Sequence, residues 1–213
     1  MSAADAVRAP ATMLRRLIRV LMVAALVLGP LAAFAVMQAL RDPAWWRPVS
    51  RGDAGAADRA AAFEQALVAE FMRVRPDAPE WAVRLHARDI NDWLGTRLPA
   101  WLESRGEPVL GPTQASLVSG RVRAGIDTGR GVAWIEVEPM AEDGGVRLGP
   151  MRGGVGRLPV PMLGSVLASQ PLLEGLSGPI RLADGRQVRV LDLELLDGEV
   201  RLKLRTEPGI PAP

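Results

Sequence analysis

Residues 20–40 run for twenty-one positions without a charge, behind Arg8, Arg15, Arg16 and Arg19 and ahead of Arg41. A helix rises about 1.5 Å per residue, so this stretch would cover roughly 30 Å, the thickness of a bilayer's hydrocarbon core. Basic flanks stay on the cytoplasmic side, which predicts a single-pass signal anchor with its N-terminus inside and everything after Arg41 outside. Trp45 and Trp46 follow the run, where indoles favour the headgroup region. A cleaved signal peptide is the competing reading. Gly29-Pro30 would break the helix, and Ala33-Phe34-Ala35 has the small-x-small form of a cleavage site. Both readings export the remainder of the chain.

The charge balance then narrows the possible partners. The net charge of +2 suggests a nucleic-acid binder, yet 22 basic residues face 23 acidic ones beyond residue 40. A nucleic-acid interface needs a concentrated basic face, and the exported part has no basic excess. There is no cysteine, so the domain must rely on its apolar core without disulfides, thiol chemistry or thiolate metal ligands. Histidine occurs once, as His86, and tyrosine not at all, which thins the supply of general acids and bases.

Patterning divides the chain into a basic cytoplasmic tail (1–19), the membrane anchor (20–40), a Pro/Gly/Ala/Asp-rich tether (41–57), an exported domain (58–207) and a flexible tail (208–213). Asp58 reads as an N-cap for a helix to Arg73, with Phe63, Leu67 and Phe71 at helical spacing. Trp81, Val83 and Leu85 alternate with polar residues, as in a strand with one apolar side. Ile90, Leu94, Leu98, Trp101 and Leu102 form a helical stripe ending near Gly106, with Pro99 expected to interrupt or kink it. Residues 117–126 and 132–137 read as a hairpin around the loop 127–131, and residues 146–151 as a third strand. A short helix is predicted over 161–169, with Met162, Leu163, Val166 and Leu167 on one side. Asp184-Gly185 and Asp197-Gly198 mark two further hairpins, the second joining strands 188–195 and 199–205. The predicted fold is α+β: an N-terminal transmembrane helix, then helices and a curved antiparallel sheet with an inserted helix.

This order of elements resembles the YpmS-like family of membrane-anchored bacterial proteins. The matching residues are the span, the strand leading into Asp89-Ile90-Asn91-Asp92-Trp93-Leu94, the run Gly156-Arg157-Leu158-Pro159-Val160-Pro161 and the last hairpin. Ala87 stands where the family usually has a Ser or Thr cap. The resemblance covers most of residues 81–207 and implies a tubular lipid-binding-like domain, in which a curved sheet wraps a helix and leaves an apolar groove. Such a groove would be lined by Trp81, Trp93, Leu94, Trp101, Leu117, Trp134, Val166 and Leu202, and a filled core would use the same residues.

Headgroup contacts would fall to Asn91, Arg147, Arg152 and Arg157, with Asn91 also suited to bonding a neighbouring loop. Asp89 and Asp92 read as a solvated first helical turn, and His86 as an exposed or bridging side chain. The run 153–157 lacks a P-loop ending and reads as a bend or bulge in a strand. Ser165 lies outside any G-x-S-x-G elbow. No catalytic, cofactor or metal site is predicted. The expected function is non-catalytic binding of a lipid or lipid-like ligand near the membrane. The alternative is a scaffold that binds another envelope protein; a hydrolase acting on envelope polymers ranks behind both.

Overall fold

The structure, a computed structural model, describes residues 22, 26–75, 79–108, 111–118, 120–161 and 178–208. The basic tail, the first part of the charge-free run, Ser165, Val166, nearly all of the expected helix over 161–169 and most of the flexible tail lie outside these residues. Helix α1 covers residues 26–39. Among the described residues no helix is long and apolar enough to cross a membrane.

Helix α2 is Ala54–Met72, strand β1 Glu80–His86 and helix α3 Ala87–Ser104. Eight further strands follow: β2 Thr113–Val118, β3 Arg121–Asp127, β4 Val132–Glu142, β5 Gly145–Val155, β6 Leu158–Pro159, β7 Ile180–Arg181, β8 Gln187–Leu196 and β9 Glu199–Glu207. All pairs are antiparallel, in the orders β1-β9-β8-β7 and β2-β3-β4-β5-β6. The sheets meet where Gly198 N–H donates to Leu117 O (3.2 Å), Gly120 N–H to Leu195 O (3.3 Å) and Val190 N–H to Gly144 O (2.9 Å). The result is an α+β domain with a curled, half-barrel antiparallel sheet.

Alternation decides what the four-stranded sheet buries. Val83 of β1, Val188 and Val190 of β8 and Leu204 of β9 form one core, covered by Leu67 and Phe71 of α2. Leu117, Leu195 and Val200 form a second, adjoining Ile90 of α3, and Leu202 packs against both. The alternation in β1 and β9 stands as predicted; of the α3 stripe, Ile90, Leu94, Leu98 and Leu102 are partly buried, whereas Trp101 is exposed. Gly198, with φ +79°, turns the last hairpin.

Several expectations are corrected. The N-cap of α2 is Asp53, which accepts from Ala56 N–H at 3.0 Å; Asp58 lies inside the helix. Alanine's helix propensity carries the helix upstream through a Gly-Ala-Ala stretch that composition alone assigns to a linker. Residues 117–126 are not one strand, because the chain reverses at Gly120, φ +77°, separating β2 from β3. Gly153 and Gly154 pair regularly with Ile135 and Trp134, and the register shift lies between Val137 and Pro139. Pro99 does not end α3, although its ring removes the bond that Gly95 O would accept.

Leu204 is 0 % exposed at the centre of the first core. Leu204→Ala is expected to cost about 2–5 kcal/mol through lost burial and the cavity left behind. Urea unfolding of the full chain in detergent measures it.

Candidate functional site

The first turns of α3 carry two side chains with different partners. Asn91 Nδ2 donates to Ala115 O (2.8 Å), while Ala115 N–H donates to Asn91 Oδ1 (2.7 Å). The amide therefore acts as an additional strand edge for β2, which fits its reading as a structural asparagine and leaves its amide group engaged within the fold. Asp92 does not belong to a solvated turn. It is 2 % exposed, and Arg59 of α2 donates to it from Nε (2.6 Å) and Nη2 (3.2 Å). Farther along the same seam, Arg97 Nε (3.0 Å) and Trp93 Nε1 (3.2 Å) donate to Glu64. Arg97 first and then Trp93 hold the Glu64 carboxyl below its ordinary range. Arg59 and Glu64 gave no sign in the sequence, since their partners lie 33 residues away.

The residues proposed for one apolar groove are dispersed. Trp81 packs edge-on to Phe71 with centroids 5.3 Å apart, lies under Arg75, and donates to Thr206 Oγ1 (3.0 Å). Trp93 and Trp101 share a depression with Glu64 and Arg97 along the seam between α2 and α3. Leu117 and Leu202 are consumed by core packing. Trp134 donates to Gly156 O (2.9 Å) on the other face of its sheet. A single groove through these positions is not formed, because alternation sends Leu117 and Trp134 to opposite faces.

The headgroup arginines likewise divide. Arg147 pairs with Glu142 at the β4–β5 hairpin, and Arg152 is exposed opposite Glu136. Arg157 caps the end of α1: its N–H donates to Gln38 O (2.8 Å) and its Nε to Asp42 O (3.0 Å). Glu136, nearly buried, takes Arg121 (3.0 Å) and Arg123. Burial acts against its charge, but Arg123 and then Arg121 outweigh that and hold its carboxyl below the usual range.

The segment read as a tether is a strap laid across the five-stranded sheet. Trp45 and Trp46 meet edge-on with centroids 5.8 Å apart over Gly125, where a Cβ would fall 2.7 Å from Trp45. Gln114 of β2 donates to Trp45 O (2.9 Å) and accepts from Arg47 N–H. The indoles expected at headgroups thus seat the strap on the domain. Beyond them an open cavity of about 640 Å³ lies between the strap (Pro48, Val49), α3 (Leu94, Gly95, Pro99) and Pro112.

The last feature is the edge of β1. Thr206 N–H donates to Pro79 O (2.9 Å) and Ala87 N–H to Gly198 O (2.8 Å), on the same register as the β1–β9 pairs. Odd-numbered residues of β1 therefore bond β9, and the backbone groups of Glu80, Ala82, Arg84 and His86 point away from the sheet. Among the described residues no strand pairs with this edge. Its side chains join a charged outer face. Glu80 takes Lys203 (2.9 Å) and Arg205, and His86 Nδ1 lies 3.6 Å from Glu199. Arg205 and then Lys203 pull the Glu80 carboxyl down to about 2, and Arg201 lowers that of Glu199. These carboxylates are held ionised, the reverse of what a proton donor at neutral pH requires. Among the described residues no group of three or more His, Asp or Glu is placed to hold a metal ion.

No protein-family model, no curated protein and no solved structure matches this chain.

Arg59→Ala leaves the Asp92 carboxylate buried without its partner. The expected result is a lower midpoint in chemical denaturation, with the loss moderated because Arg59 is 37 % exposed. The Glu80 pairs act on the acid limb. Because this carboxyl is depressed from 4.5 to about 2, its stabilisation is complete above the ordinary value and disappears as pH falls through the lower one. Glu80→Gln is expected to flatten the pH dependence of unfolding across that window, as followed by circular dichroism.

Proposed function

We propose that this chain is a single-pass protein of the bacterial cytoplasmic membrane, anchored by residues 20–40, whose extracytoplasmic domain docks another envelope protein. The open backbone edge of β1 carries the docking part of this reading. An extended segment of a partner can add to such an edge through main-chain hydrogen bonds, with alternate side chains supplying specificity. Glu80 and Arg84 line the edge with charge, which discourages indiscriminate strand pairing and leaves a matched partner favoured. The anchor is supported by the charge-free run, the arginines before it and the apolar surface of α1, where Leu26 is 76 % and Leu28 62 % exposed. The resemblance to the YpmS-like family supports the same membrane placement.

A second reading, binding of a lipid or lipid-like chain, is favoured by the cavity behind the strap. Its volume of about 640 Å³ is within the range of small-molecule sites, and Pro48, Val49, Leu94 and Pro112 give it an apolar lining.

Ala82→Pro separates the two. The Ala82 N–H points outward, so proline there removes a docking donor and no bond to β9. Crosslinking in intact cells is expected to yield one dominant protein adduct with the wild type and to lose it with Ala82→Pro, at unchanged membrane abundance. Lipid adducts that persist in Ala82→Pro would overturn docking in favour of lipid binding.

A further inference from the structure

The C-terminal end of α1 is gripped by two turns of the five-stranded sheet. Gly131, closing the β3–β4 loop, has no room for a side chain: a Cβ would lie 2.9 Å from Ala39 O. Gly156, in the β5–β6 turn, abuts the same carbonyl. Arg157 N–H donates to Gln38 O (2.8 Å), a carbonyl of the helix's last turn, and Arg157 Nε donates to Asp42 O (3.0 Å) just beyond it, so the sheet ties down the end of α1. A cation also stands at the negative end of the helix dipole. The direction in which α1 leaves the domain is therefore set by the sheet rather than by a flexible joint.

Above that grip α1 is apolar on every side. Leu26, Val27, Leu28, Leu31, Phe34 and Val36 are all exposed, and at 100° per residue they point around the whole helix. At its base stand exposed Arg41, Arg130 and Arg157, with Asp42 and Asp127 nearby in the chain. Asp127 is partly occupied, its Oδ1 accepting from Gly129 N–H (2.7 Å). The opposite end of the same sheet carries Glu142 and Asp143 together with Arg121 and Arg147, the last paired with Glu142. Three exposed arginines thus stand beside the apolar helix.

We propose that this end of the sheet, the β3–β4 loop with the Gly156-Arg157 turn, is a membrane-contact surface on which Arg41, Arg130 and Arg157 bind anionic lipid headgroups. The inference rests on the anchor reading and adds to it which face of the domain meets the bilayer and which lipids it prefers. The strap then leads away from the membrane across the sheet, and the β8–β9 turn stands at the far end. β3 spans the sheet between them, seven residues at about 3.3 Å each, a separation of roughly 20 Å.

The chain has no cysteine, so single introduced thiols report unambiguously. Thr128→Cys and Asp197→Cys variants of the full chain would carry a fluorophore and be reconstituted into phosphatidylcholine vesicles, with or without phosphatidylglycerol. Some of the lipids would bear a headgroup quencher. The label at 128 should be quenched several-fold more than the label at 197, and more strongly with phosphatidylglycerol. The phosphatidylglycerol increment should vanish when Arg41→Glu and Arg130→Glu are introduced together. Equal quenching at the two positions, or an increment untouched by the charge reversals, overturns the proposal when the protein resists alkaline extraction. Protein that alkaline carbonate strips from the vesicles overturns the anchor reading instead, and this surface with it.

Discussion

Asn91 and Asp92 stand side by side at the start of α3 and reach in different directions. Asn91 closes the edge of β2 with a two-way amide bridge, and Asp92 takes the Arg59 guanidinium of α2. Through them one helical turn connects the five-stranded sheet to the helical layer, while β1, which runs directly into α3, connects it to the four-stranded sheet. A buried carboxylate is tolerable only with its countercharge in place, so the docking of α2 and the burial of Asp92 require each other. Thr113 adds a third tie by donating to Leu94 O (3.0 Å).

The strap extends the same logic toward α1. Gln114 lies on β2, the strand that Asn91 secures, and its side chain holds the backbone of Trp45 and Arg47. The tryptophans then need a flat seat, which Gly125 provides. Farther on, Val49 fits against Gly95 of α3, where the helix has no side chain and Pro99 has removed the next backbone bond. With both ends held, α1 cannot swivel freely on the domain. The end of α1 is thereby held at a fixed place on the domain.

Legibility followed the range of the interactions. The β1 and β9 alternations, the α3 stripe and the Asp-Gly turns are local patterns, and each of these elements formed where its residues indicate. The start of α2 was misjudged because Gly and Asp in a linker and Gly and Asp at a helix start look alike until the cap geometry is seen. Asp92 looked solvated because a polar residue in a first turn ordinarily is, and its partner is on another helix. The groove was misplaced for a different reason. Apolar character states that Leu117, Trp134 and Leu202 seek cover, but not which face of which sheet will cover them.

By itself, the order of amino acids determined the α+β class, three of the hairpin turns, the absence of a basic excess beyond residue 40 and the one long charge-free run. These depend on periodicity, turn chemistry and counting, which act over a few residues at a time. Only the tertiary structure decided that residues 43–51 are a strap rather than a tether, that Asp92 is a buried joint, and that among the described residues no strand pairs with the outer edge of β1. Each of those outcomes depends on which distant segments come into contact. A side chain's desolvation and the partner that compensates it are properties of the assembled fold.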